Sequence, residues 1–344
     1  MKKKVYIGFS GGVDSSVSAL LLKRKYDVKA VMFRNISEEK CIKENERLAS
    51  EVAKYIGIPF EIVDFTKQFQ SLIINPFLNS YSEGKTPNPC VRCNVQFKFG
   101  VFADWCFENG ADLIATGHYC KNKNGHLYKG KDRKKDQSYF LNDVSSNILE
   151  KTLFPLGNFT KERVRRIAKR NHLPNESQRD SQEVCFINSD IQEYLDEQIP
   201  NSKGNIIDID NKEIVGIHNG IHSVTLGQRR GINVGGVDKP YYVAKKDVDS
   251  NTIYVAKGKL NQALWKDTFT LKNFNVIHPT NKNINKGLTG KVRYQSKEIP
   301  CTFNWDSNCV EFKEKVWTPS VGQSIVIYKG NECIGGGEIE EIQQ

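Results

Sequence analysis

Ser10-Gly11-Gly12-Val13-Asp14-Ser15-Ser16 is the stretch around which the chain is organised. Val5-Tyr6-Ile7-Gly8-Phe9 runs into it with the apolar character of a buried strand. Val17 to Lys25 leaves it as a helix, with Val17, Leu20, Leu21 and Leu22 facing inward. A strand, a glycine turn with serines and then a helix make a cradle for a phosphate. Gly11 and Gly12 place no Cβ between the backbone and an anion, and the free N–H groups of the first helical turn point at that anion. No Gly-Lys-Ser/Thr follows, so this is not a Walker loop. An ordinary strand–turn–helix is the alternative reading.

Outward from the loop, Val28-Lys29-Ala30-Val31-Met32-Phe33 reads as a second strand, continuous enough to be covered on both faces. Glu44 to Ile56 is an amphipathic helix closed by Gly57, and Phe60 to Asp64 is a third strand. This alternation predicts a doubly wound α/β domain. Ligands of such sheets sit at the carboxyl ends of strands near a switch in strand order. An adenine therefore fits between the loop after Phe9 and the Met32-Phe33-Arg34 tip. Asp112 to Tyr119 reads as another core strand, ending in Thr116-Gly117-His118 at the same edge. Gly117 permits close approach there, and His118 is a candidate for ligand or RNA contact.

The chain has 344 residues, 38% of them hydrophobic, and a mean hydropathy of -0.52. These values predict a soluble protein of two or three domains. No apolar run approaches membrane-spanning length. Met1-Lys2-Lys3-Lys4 enters the first strand at once, so no signal or transit peptide is expected. Nine cysteines without an export signal point to a reducing, cytoplasmic setting. A net charge of +10 favours a polyanionic partner.

Two prolines force Thr86-Pro87-Asn88-Pro89-Cys90-Val91-Arg92-Cys93-Asn94 into an extended loop carrying a Cys-x-x-Cys pair. Such a pair serves as a redox site, half a zinc site or part of a cluster ligand set. A second pair is lacking, which argues against a zinc ribbon. Lys129 to Lys135 is a basic run leading into Asp136-Gln137-Ser138-Tyr139-Phe140-Leu141. It reads as a solvated charge run or a nucleic-acid surface. Phe154-Pro155-Leu156-Gly157 reads as a hinge, and Thr160 caps a helix over Lys161 to Asn171. One face of that helix carries Lys161, Arg163, Arg165, Arg166, Lys169 and Arg170, which reads either as an ordinary solvent-exposed face or as a surface able to neutralise several phosphates. Asp180 to Ile187 is a short stretch with Cys185 at its centre. From about Gly204 short strands dominate, which predicts a small β-barrel, with Gly335-Gly336-Gly337 as a turn or bulge.

Taken in order, these motifs, with Val184-Cys185-Phe186-Ile187 and Gly227-Gln228-Arg229-Arg230-Gly231, resemble the tRNA 2-thiouridylases. The loop itself resembles that of enzymes cutting ATP between its α and β phosphates. The resemblance spans essentially the whole chain. It implies a pyrophosphatase-loop ATP-binding catalytic domain over 1–153, to whose site the Cys185 segment returns. A linking, tRNA-binding domain over 154–258 and a C-terminal β-barrel over 259–344 would follow. The implied reaction is adenylation of the C2 oxygen of a tRNA wobble uridine with release of pyrophosphate, followed by sulfur transfer. Gly8, Phe9, Ser10, Gly11, Gly12, Val13, Asp14, Ser15, Ser16, Phe33 and Gly117 would hold ATP. Mg²⁺ bridging its phosphates would offset developing charge, with Asp14 near it. Cys185 would carry a persulfide, and Cys93 would act as nucleophile or resolve the intermediate by forming a disulfide. Asn88, Pro89 and Cys90 would face the target base. His118, Lys135, Asp136, Gln137, Arg293, Tyr294 and Gln323 would contact tRNA. A sulfur-donor protein or sulfide is the implied second partner.

One position departs from the family pattern. Cys90 stands where many members have an Asp, the proposed general acid/base. An unperturbed thiol titrates near about 8.5 and replaces that group imperfectly. Cys90, Cys93 and Cys185 also suggest a second route, three thiolates holding a [4Fe–4S] cluster with one iron open to sulfide. Two other functions remain: another adenylating enzyme of this loop type that aminates tRNA or a carboxylate, and a non-catalytic tRNA-binding or sulfur-carrier protein. The first gives no reason for Cys93 and Cys185; the loop argues against the second.

Overall fold

A computed structural model describes residues 2–35, 39–179, 184–187, 189–232, 234 and 239–343, without the side chains of 39–42. Asp180 to Glu183 of the Cys185 stretch and the thiol of Cys41 fall outside the described residues.

Apolar alternation in the first strand decides the layering. In β1 (Lys4–Gly8) Tyr6 faces one hydrophobic cluster, while Val5 and Ile7 face another. With β2 (Asp27–Arg34), β3 (Phe60–Asp64), β4 (Leu113–Ala115) and β7 (Thr152–Leu153) it forms a parallel sheet of order β3-β2-β1-β4-β7. The chain moves outward from β1 through β3 and returns to β1's other side as β4. The loop after β1 therefore sits at a topological switch point, as expected for a doubly wound α/β domain. The helices Val13–Leu22 and Lys161–Arg170 share one face of the sheet through Val17, Val164 and Ala168. The other face is aromatic, with Phe69, Phe97, Phe99 and Phe102 buried under the helical segments of 66–108.

The predicted strand over Asp112 to Tyr119 is shorter than expected. Only Leu113–Ala115 pairs; beyond it the chain leaves the sheet to pass the loop and enters a hairpin, β5 (Cys120–Lys123) and β6 (His126–Lys129).

A four-stranded sheet follows, with β8 (Gly204–Asp208), β9 (Ile214–His218), β10 (Tyr241–Asp247) and β11 (Thr252–Lys257) in the order β10-β11-β8-β9. The last region is a closed six-stranded barrel of β12 (Trp265–Val276), β13 (Leu288–Lys291), β14 (Ile299–Asn304), β15 (Cys309–Trp317), β16 (Ser324–Lys329) and β17 (Glu332–Ile342). Pairing of Phe269 with Ile342 and Leu271 with Ile339 closes it.

The hairpin ties the barrel to the α/β domain, because β6 pairs with β17 at Tyr128–Glu332 and Leu127–Cys333. One expectation changes here and another narrows. Lys129 opens the basic run yet is buried at this seam. It donates to Glu298 at 2.6 Å and the Gly330 carbonyl at 2.8 Å, with its ammonium 4.2 Å from the Tyr328 ring centroid. Gly335 to Gly337 form no turn; they lie inside β17, where the register against β12 and β16 shifts beside them, so the bulge alternative is the one that holds. A Cβ at Gly336 would meet Asn142 Oδ1 at 2.2 Å and one at Gly335 the Asn275 carbonyl at 1.9 Å. These glycines allow the barrel wall to close tightly and to press against the α/β domain.

Candidate active site

At the loop, Gly11 adopts φ +74°, a conformation costly for other residues. Gly12 starts the Val13–Leu22 helix, and no side chain caps it. The first-turn N–H groups are thus presented to an incoming anion. Ser15 and Ser16 donate to the Gly12 carbonyl at 3.0 and 2.9 Å. Asn175 donates to the Gly11 carbonyl at 2.5 Å and to Ser16 Oγ at 2.9 Å, bracing the turn from beneath. Gly117 is so close that a Cβ there would lie 3.3 Å from the Asp14 carbonyl carbon and the Ser15 nitrogen. Gly8 and Phe9 lead into the turn, with Phe9 buried. Phe33 lies in the aromatic layer, its ring 5.0 Å from Phe97 and 5.4 Å from Phe102.

Asp14 is engaged by two residues that spacing in the sequence did not single out for it. Lys161 Nζ donates to both carboxylate oxygens at 2.7 and 2.8 Å, and the Tyr119 hydroxyl donates to Oδ1 at 2.7 Å. Lys161 therefore does not belong to the exposed basic face of its helix; its side chain is 12% exposed. With an ammonium on both oxygens, the carboxylate of Asp14 does not fit the role of a Mg²⁺ ligand in this arrangement.

The thiols lie on the aromatic side. Asn88 caps the short helix Pro89–Arg92 by accepting from the Val91 N–H at 3.3 Å. Cys93 opens a π-helical stretch, Cys93–Val101. The Cys185 segment is pinned by its neighbour Phe186, whose ring meets Phe77 at 5.4 Å, Phe69 at 5.8 Å and Tyr194 at 6.3 Å. Cys93 is buried, whereas Cys90 and Cys185 are solvent-accessible though densely surrounded. Burial pushes the Cys93 thiol up to about 12 and raises Cys90 and Cys185 as well. The Lys98 ammonium opposes this at all three thiols. Cys185 acts on both Cys90 and Cys93, so the three form one electrostatic neighbourhood around Lys98. An isolated lysine within a helical stretch gave no sequence signal of this. Among the described residues, no group of three or more His, Cys, Asp or Glu is arranged to hold a metal ion. Cys90, Cys93 and Cys185 share one neighbourhood without being drawn together as a metal-ligating set.

His118 is buried between the rings of Phe99 and Phe154, at 6.1 and 6.2 Å, with Nδ1 2.8 Å from Thr116 Oγ1. Burial, aided by Lys98, holds its basicity well below the ordinary value. Several expected RNA contacts are occupied within the protein. Asp136 accepts from the Gly130 N–H at 2.8 Å and Ser138 Oγ at 2.9 Å, and Gln137 Oε1 accepts from the Tyr119 N–H at 2.9 Å. Gln323 donates to the Thr86 carbonyl at 2.8 Å, so a barrel residue steadies the loop before Asn88. Arg293 donates to the Thr318 carbonyl, and Tyr294 packs 4.4 Å from the Phe140 ring. A polar cavity lies beside them, lined by Arg133, Lys134, Asp136, Lys291, Tyr294 and Ser296 among others.

Comparison with known proteins agrees along the chain. Residues 3–189 match the family model described as a tRNA methyl transferase HUP domain, 192–257 a tRNA methyl transferase PRC-barrel domain and 266–339 an aminomethyltransferase beta-barrel domain. The tRNA-specific 2-thiouridylase MnmA of Mycoplasmopsis synoviae is 40% identical, covering 99% of this chain and 96% of that one. The proteins of that name from Nitrosomonas europaea and Chlamydia abortus are each 39% identical over 98% and 99% of this chain, and 98% of each of theirs. No helix among the described residues is long and apolar enough to cross a membrane. With a phosphate loop at the switch point, thiols on the opposite layer and near-full-length similarity, the chain belongs to the tRNA-specific 2-thiouridylase family.

Proposed function

We propose that this protein is an ATP-dependent tRNA uridine 2-sulfurtransferase acting at the wobble position. The observation that carries this reading is the combination, in one α/β domain, of an uncapped phosphate loop with Cys93 and a Cys185 segment anchored to its neighbourhood. A uridine C2 carbonyl is a poor electrophile with a poor leaving group. Its oxygen attacks the α-phosphorus of ATP, the α–β bridge breaks and pyrophosphate departs. The backbone N–H groups after Gly12 stabilise the charge on the phosphates.

Sulfur then displaces AMP. The outer sulfur of a Cys185 persulfide forms a bond to C2, and the C2–O bond breaks with the electron pair leaving on AMP. Cys93, as thiolate, attacks Cys185 Sγ; the S–S bond to the transferred sulfur breaks and leaves 2-thiouridine and a Cys93–Cys185 disulfide. An external thiol reductant restores the two cysteines, and a persulfide-bearing sulfur-donor protein reloads Cys185: the Cys185 thiolate attacks the donor's outer sulfur and the donor's own thiolate leaves. Lys98 favours the thiolate forms that both steps need. No step uses an acid at position 90.

In this reading residues 1–153 with the returning Cys185 segment are catalytic, 154–258 link, and 259–344 form the barrel. Asn88, Pro89 and Cys90 meet the base, and Lys135, Arg293 and Tyr294 meet the RNA. The test is to incubate purified protein with ATP, Mg²⁺, unmodified tRNA, a persulfide donor and a thiol reductant, then measure 2-thiouridine. Product that requires ATP, Cys93 and Cys185 supports the proposal. No thiouridine from folded, ATP-binding protein would overturn it.

A further inference from the structure

We propose that Lys161 is a phosphate-contacting residue of the ATP site and that Asp14 positions it, rather than serving as a metal ligand. The inference rests on the ATP-dependent reading above. It starts from a contrast within one helix: Arg163, Arg166 and Arg170 are open to solvent, whereas Lys161 turns inward onto the phosphate loop. Its ammonium grips Asp14 through both oxygens at 2.7 and 2.8 Å, and Tyr119 fixes the same carboxylate at 2.7 Å.

Asp14 stands in the first turn of the helix whose N–H groups receive the anion. A bare carboxylate there would repel a triphosphate; paired with Lys161 it becomes the support that aims a cation at the same place. A lysine suits this role because its ammonium is a compact point charge on a flexible stem. It can share itself between the carboxylate and a phosphate without leaving the turn.

The pair also reaches toward the segment expected to meet RNA. The Lys161 backbone N–H donates to Asp132 Oδ2 at 2.9 Å, and Asp132 Oδ1 accepts from the Lys134 N–H at 3.1 Å. Tyr119, the other partner of Asp14, donates its backbone N–H to Gln137. Both residues that hold Asp14 are therefore bonded into 132–137, which fixes the pair against that segment.

The experiment is equilibrium binding of ATP, pyrophosphate and AMP to the full chain, with Mg²⁺ titrated, for wild type and for Lys161→Met, Lys161→Gln, Lys161→Arg and Asp14→Asn. Thermal melting selects the folded variants. Loss of the ammonium is expected to weaken ATP and pyrophosphate by about tenfold or more, the order expected for a lost charge-assisted contact. AMP should change much less, and Lys161→Arg, which keeps the charge but not the compact ammonium, should recover only part of the loss. In Asp14→Asn the Mg²⁺ concentration for half-maximal ATP binding should stay at the wild-type value.

Wild-type ATP and pyrophosphate affinity in folded Lys161→Met or Lys161→Gln would make the lysine a structural partner only and overturn the proposal. A large rise in the Mg²⁺ requirement of Asp14→Asn would overturn its second half. Should none of the Lys161 variants fold, Asp14→Asn decides alone: unchanged ATP and pyrophosphate affinity would overturn the proposal, because Lys161 would then need no positioning. Wild-type protein that binds no ATP would instead sink the functional reading itself.

Discussion

Phe186→Ala separates the two halves of the proposed chemistry. Phe186 is 7% exposed and holds Cys185 near Cys93 by edge contacts to Phe69, Phe77 and Tyr194. Truncating a buried phenylalanine typically costs about 3–5 kcal/mol, and edge-to-face pairs add about 0.5–1.5 kcal/mol each beyond area. If about 3 kcal/mol falls on docking of this segment, its docked-to-undocked ratio drops by roughly a hundredfold, since about 1.4 kcal/mol is tenfold. The phosphate loop packs into the other hydrophobic cluster, around Val13, Val17 and Ala49, and should be untouched. Single-turnover 2-thiouridine formation should therefore fall by up to about a hundredfold, while the Kd for ATP stays within about twofold. Phe186→Leu, which keeps much of the buried volume, should lie between. Thiolation near the wild-type rate in folded Phe186→Ala, or an equal loss of ATP binding, would refute the reasoning.

Cys185→Ser and Cys93→Ser should each abolish 2-thiouridine but still release pyrophosphate with tRNA present, read by a coupled phosphate assay. Lys98→Met removes the cation opposing burial at the thiols; alkylation of Cys185 should slow and its pH profile should move upward. Gly117→Ala places a methyl 3.3 Å from the Asp14–Ser15 backbone. Overpacking costs about 1–3 kcal/mol, so ATP affinity should weaken by about tenfold or more in calorimetry. Burial pushes the carboxyl of Asp143 up to about 6, so folding favours its neutral form. That contribution is fully present below the unfolded carboxylate range and is lost as pH rises through about 6. Asp143→Asn should therefore raise the melting temperature at pH 7.5 but not at pH 3.5.

The loop, the switch point and the barrel were legible because each follows from local pattern. Glycines between a buried strand and a helix announce a phosphate cradle, and short strands at regular spacing announce a barrel. Pairing across the seam was not legible. Lys129 looked like part of a solvated run because its partners, Glu298 and Gly330, are distant in sequence. The same holds for Gly335 to Gly337, whose need for absent Cβ atoms comes from Asn275 and Asn142. Lys161 was read as one of several surface cations; only the fold shows that its helix starts beside Asp14. Cys93 and Cys185 stood out as motif residues, but the anchor that joins their segments, Phe186, resembles any core aromatic.

The most direct test of the account follows the oxygen. Unmodified tRNA would be transcribed with ¹⁸O at uridine C2 and converted with ATP and a persulfide donor under single-turnover conditions. AMP and thiolated tRNA would then be weighed by mass spectrometry. Adenylation of the C2 oxygen requires one ¹⁸O in AMP for each 2-thiouridine formed. Thiouridine accompanied by unlabelled AMP would contradict it.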